Sequence, residues 1–138
     1  MGEFEVTDHT ADVGIVVRAA TLRDLFETAA EGMFSFLIDP LLVENRAWRE
    51  RRVDADDREG LLIAWLNDLL VLLNGEAFVP RVFVVDEVSE QLLRATVHGE
   101  PVDPARHHFR HDVKAATHHG VDVRREGDGW TVRVIFDV

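Results

Sequence analysis

The stretch GLLIAWLNDLLVLL, Gly60 to Leu73, constrains this chain most. A helix made of it is apolar on most sides, so it has to be the more buried helix of its domain. The run is too short to cross a bilayer, and Asn67-Asp68 interrupts it with polar groups. Those two residues read as the one wet side of the helix rather than as a site. Asp56, with Asp57 and Glu59 close behind, supplies an acidic first turn at which the helix starts. Asn74-Gly75 supplies a stop.

A second helix stands ahead of it. Thr21 can cap, and Asp24 occupies the third helical position. Leu22, Leu25, Phe26, Ala29, Met33, Phe34 and Leu37 follow at three- and four-residue spacing, the stripe of an amphipathic helix, until Asp39-Pro40 ends it.

The remaining segments alternate at the period of strands. EFEVTDH puts Phe4 and Val6 on one face, and Gly14 to Ala19 continues as a second strand. Trp48 to Val53 is polar and alternating, as an edge strand is. RVFVVDEV and QLLRATVHGE form a hairpin about a short Ser-Glu turn. Pro101 to Asp112 reads as a polar loop. Two more strands flank Gly127-Asp128-Gly129. In the last of them Trp130, Val132, Val134 and Phe136 face one way and Thr131, Arg133, Ile135 and Asp137 the other. The order predicts an α+β fold, with two helices packed on a mainly antiparallel sheet. At 138 residues, the chain 1–138 is read as a single domain.

Composition narrows the function classes. There are no cysteines, which excludes disulfides, thiolate nucleophiles and Cys-type zinc sites. Fifteen basic against 26 acidic residues give a net charge of −11. Such a surface repels phosphate backbones, so no stable nucleic-acid grip is expected, whereas a cation or a basic partner suits it. MGEFEV lacks the basic start of a signal peptide, and no membrane segment is found, so a cytoplasmic location is expected. Phosphate-loop, nucleophile-elbow and dinucleotide-binding motifs are absent.

Few residues invite chemistry. An apolar strand running to the last three residues is tied into its sheet, which holds the Asp137 side chain close to the Val138 α-carboxylate. Two such anions repel unless a cation or several donors sit between them. Asp12, in DHTADVGI, would add a third carboxylate if the first and last strands meet. Three hard oxygen anions favour Mg²⁺, Ca²⁺ or Mn²⁺. Set against this is the plain alternative of three surface acids. Lys114 is the only lysine, in VKAATHHGVDV, and a compact ammonium approaches phosphate in a way that Arg does not. GC-rich coding that leaves one lysine by chance explains it as well. His9 stands beside Asp8 and Asp12 and is a potential ligand. His118 and His119 are neighbours, so in a strand they point apart.

Taken together, DHTADVGI, LLIAWLNDLLVLL and VKAATHHGVDV running into VIFDV resemble the archease family, in order and across essentially the whole chain. The resemblance implies a small acidic protein, itself not an enzyme. Such a protein activates the RtcB-type RNA ligase of tRNA splicing and RNA repair by promoting its guanylylation with GTP and its multiple turnover. It further implies a divalent-metal site, calcium in the family, with Mg or Mn as alternatives. Its ligands fall on Asp12, Asp137 and Val138, and the functional lysine falls on Lys114. Where the family commonly has Tyr-His after VKA-x-T, this chain has His118-His119, which puts a role for that aromatic hydroxyl in doubt. The competing reading from the residues is a small metal-dependent phosphoester hydrolase. A third is a metal that merely pins the C-terminal strand.

Overall fold

The computed structural model describes residues 2–8 and 13–138, with Asp8 described by its backbone alone. In chain order the elements are β1 (Gly2–Asp8), β2 (Val13–Ala19), α1 (Leu22–Leu37), β3 (Ala47–Asp54), α2 (Arg58–Glu76), β4 (Phe78–Val88), β5 (Leu92–Pro101), β6 (Ala115–Thr117), β7 (Arg124–Glu126) and β8 (Gly129–Asp137). A 3-10 turn, Pro40–Leu42, follows α1. The strands form two antiparallel sheets. The first has the order β1-β2-β8-β6, with β7 also on β8, and the second has the order β3-β5-β4. The architecture is α+β, as expected, with the strands divided between two sheets.

Both helices lie between the sheets. α1 packs on β1, β2 and β8 of the first sheet and on β4 of the second. α2 packs on β6 of the first and on β3, β4 and β5 of the second. This is why α2 is apolar nearly all round: it buries Leu61, Leu62, Ile63, Trp65, Leu66, Leu69, Leu70 and Leu72. Each such side chain removed from water contributes about 1.5–3 kcal/mol. Trp65 is fully buried, and its indole N–H donates to the Phe26 carbonyl at 3.0 Å, joining α2 to α1. On α1 the predicted stripe is the buried face, and Thr21 Oγ1 accepts the Asp24 N–H at 3.1 Å.

Three expectations need correction. Asp57, not Asp56, caps α2, accepting the Gly60 N–H at 2.7 Å. The helix also runs through Asn74-Gly75 to Glu76, because Ala77 takes the left-handed conformation (φ 52°) and closes it. Asn67 and Asp68 are not a wet side. Both are half-buried and engaged, Asp68 by a two-pronged pair with Arg51 of β3 (2.7 and 2.8 Å) and Asn67 by β6. α2 keeps a solvent-facing side at Val71 and at its last turn, but Asn67 and Asp68 face strands on either side of it, and each binds one.

Candidate functional site

The site is built at one end of the first sheet. Val13, the first residue of β2, pairs with Phe136 of β8, and Phe136 pairs on its other side with Ala116 of β6. Phe136 is fully buried, with Val13 and Ala116 buried beside it. This apolar row fastens the end of the chain. One residue on, the alternation of β8 turns Asp137 outward. Its carbonyl accepts the Lys114 N–H at 2.8 Å.

Three predicted site residues therefore come together: Lys114, Asp137 and Val138, all exposed. Asp137 is held within β8 and the Lys114 N–H is bonded to its carbonyl, so both backbones are fixed while their charged groups stay free. Among the described residues neither Lys114 nor Asp137 has a side-chain hydrogen bond or ion pair. Asp12, His9 and the Asp8 side chain lie outside the described residues. By covalent connection Asp12 is bonded to Val13, whose partner Phe136 is bonded to Asp137. Among the described residues no group of three His, Asp or Glu converges. The donors that are described, one carboxylate side chain and one α-carboxylate, are hard oxygen anions and fit a hard divalent cation.

His118 is not brought to this end. It is exposed in the turn after β6, where its carbonyl accepts the Val121 N–H at 3.2 Å. It stands four positions on from Lys114, about 13 Å along an extended chain. His119 shares that turn rather than a strand.

Asn67 is the residue at this end whose part was not anticipated. Its side-chain amide donates to the Ala116 carbonyl at 3.1 Å and accepts the Ala116 N–H at 2.8 Å. The only signal in the sequence was a polar pair inside an apolar helix, which marks an engaged group as readily as a wet one.

A second polar cluster holds the segment that leads to Lys114. Glu100, 1% exposed, accepts from Arg106 (2.6 Å), from the Glu44 N–H (2.7 Å) and from His107 Nε2 (2.9 Å). His107 Nδ1 accepts the Asp103 N–H at 2.8 Å, which leaves Nε2–H to donate to Glu100. The Arg106 guanidinium, helped by the other two donors and opposed by burial, holds the Glu100 carboxyl down at about 2. The segment read as a polar loop is thus pinned from inside. His111 stacks on Phe36 with ring centroids 4.2 Å apart.

The chain matches the Archease protein family (MTH1598/TM1083) over residues 4–138. It is 33% identical to protein archease of Methanosarcina acetivorans, across 99% of this chain and 96% of that one. It is 34% identical to protein archease of Sulfurisphaera tokodaii, across the whole of both. Among solved structures it is similar to protein 1598 of Methanobacterium thermoautotrophicum, with a TM-score of 0.80, 33% identity and 98% of each chain covered. The fold also matches a Thermotoga maritima archease described as a possible chaperone, with a TM-score of 0.59 at 19% identity and 96% and 94% of the two chains covered. With a family match over nearly its whole length and relatives a third identical from end to end, this chain belongs to the archease family.

Proposed function

We propose that this protein is a non-enzymatic activator of an RtcB-type RNA ligase, promoting its guanylylation and multiple turnover in tRNA splicing and RNA repair. The observation that carries the reading is the gathering of Lys114, Asp137 and Val138 at one exposed sheet end, with the Lys114 and Asp137 backbones held and their side-chain charges unengaged among the described residues. Free charges on a rigid frame suit a surface that completes another protein's site. Family membership and the description of one relative as a possible chaperone support a protein partner. The net charge of −11 argues against RNA as the direct ligand.

In this reading Asp12, Asp137 and the Val138 carboxylate hold a divalent cation, and Lys114 meets a phosphate or an acidic group of the ligase. A bound cation would offset carboxylate repulsion and offer Lewis-acid coordination to a phosphate oxygen. The chain's own residues position these groups. Phe136 anchors the terminal strand, and the Lys114 amide is tied to Asp137.

The test is multiple-turnover joining of a 2′,3′-cyclic phosphate RNA end to a 5′-hydroxyl end by the cognate ligase. Wild-type protein raises turnover, while Asp137→Ala and Lys114→Ala proteins with intact circular dichroism do not. Equal stimulation by wild type and both variants sinks the reading.

A further inference from the structure

β6 is an edge strand of three residues, too short to hold itself in place. One edge pairs with β8 in the register Ala115↔Asp137, Ala116↔Phe136 and Thr117↔Ile135. Its other edge meets no strand among the described residues. There the N–H and C=O of Ala116, a residue 4% exposed, are both taken by the Asn67 side chain at 2.8 and 3.1 Å. A primary carboxamide carries one acceptor and one donor on a single planar group, as a peptide unit does. Asn67 thus imitates one residue of a neighbouring strand and closes the sheet edge from a helix.

Lys114 precedes β6 directly, and its own N–H goes to Asp137. The short segment carrying the lysine is therefore gripped from both sides, by β8 and by α2. We propose that Asn67 is a positioning residue for the activating tip. By fixing where β6 lies, it sets where the Lys114 ammonium stands relative to the Asp137 and Val138 carboxylates. This inference rests on the activator reading above. An apolar residue of the same volume would leave the buried Ala116 N–H and C=O without partners, so it is the carboxamide, not the bulk, that fixes β6.

The chemistry is specific to the amide. Aspartate at this position keeps an acceptor for the Ala116 N–H but turns an anionic oxygen toward the Ala116 carbonyl. Glutamine keeps the carboxamide and one more methylene, so β6 keeps a partner but must shift by about 1.5 Å. Asp68 is a built-in control. It follows Asn67 on the same helix and is comparably buried, but its two carboxylate oxygens grip Arg51 of β3.

The experiment uses full-length protein well below its melting temperature. Ligase guanylylation is titrated with wild type, Asn67→Asp, Asn67→Gln and Asp68→Asn, and the maximal rate is separated from the half-saturating concentration. Amide hydrogen exchange at Lys114 and Ala116 is followed in parallel. Asn67→Asp is expected to lower the maximal stimulated rate about tenfold, and Asn67→Gln at least threefold with its fold kept. Exchange at Ala116 should quicken in Asn67→Asp. Asp68→Asn should melt earlier yet keep the maximal rate within about twofold, because its role is structural. Stimulation by wild type together with full rates in both Asn67 variants overturns the positioning role alone. Failure of wild type to stimulate sinks the activator reading, and the role assigned to Asn67 falls with it.

Discussion

Replacing Glu100 by glutamine tests the inner cluster that holds the approach to Lys114. The substitution keeps the shape and removes the charge. In the folded protein the carboxyl sits at about 2 rather than its ordinary 4.5. Taken whole, that difference corresponds to roughly 3 kcal/mol. The Glu100 side chain is only 2% exposed, but its Arg106 partner is 39% exposed, and water around the guanidinium screens the pair. A discounted value of about 1–2 kcal/mol is therefore appropriate. For 138 residues the unfolding entropy is roughly 0.3 kcal/mol/K, so the melting temperature should fall by about 3–7 °C at pH 7. The pH dependence carries the sharper signature. A depressed carboxyl stabilises the fold fully above its unfolded value, near 4.5, and loses that contribution as pH falls toward 2. The melting-temperature gap between wild type and Glu100→Gln should thus be constant from pH 7 to about 5 and narrow between pH 5 and 3. Thermal melts followed by circular dichroism read both quantities. A gap absent at pH 7, or one that does not narrow in acid, refutes the reasoning.

Two further substitutions probe the frame. In Gly99→Ala the added Cβ would stand 2.0 Å from the Val79 carbonyl oxygen, where β4 and β5 meet at a register shift, so unfolding should become easier by about 3 kcal/mol or more, read from the urea midpoint. Trp65→Phe leaves the Phe26 carbonyl without its 3.0 Å donor in the space between the helices, and should cost about 2 kcal/mol by the same measurement.

What the sequence made legible follows the distance over which each feature is decided. The Thr21 cap and the α1 stripe are settled within a few residues, and both are present. From Val132 on, the alternation of β8 likewise foretold which residues face inward, with Val132, Val134 and Phe136 buried and Arg133 and Asp137 exposed. Thr131 on the opposite face is instead buried, with its hydroxyl bonded to the Val17 carbonyl, and Trp130 is only half-buried. Trp48 to Val53 lies in an edge strand, β3, as its polar pattern indicated. The parts of Asn67 and Asp68 were not legible, because their partners lie 49 and 17 residues away. β6 escaped detection for a related reason. Three residues give no period, and the strand exists by virtue of β8 and Asn67. The end of α2 was misplaced because Ala77, not a glycine, takes the left-handed turn. His107 offered no sign of burial, since only Glu100 and the Asp103 N–H make its enclosure tolerable.

For the candidate site, composition and spacing suggested a pair of carboxylates at the chain end. The sheet adds the reason why Lys114 belongs with them, through the bond from its amide to Asp137. The third carboxylate, Asp12, lies outside the described residues.

The most direct test of the activator account is guanylylation of the cognate ligase by labelled GTP under multiple-turnover conditions. The comparison is between no addition, wild-type protein and the Asp137→Asn variant. Asparagine preserves size and fold while removing one anionic oxygen ligand from the tip. The account predicts that wild type drives label into the ligase beyond the level reached without addition, and that Asp137→Asn leaves it near that lower level. Equal labelling with wild type and Asp137→Asn would contradict a role for the acidic tip, and no stimulation by wild type would contradict the activator function itself.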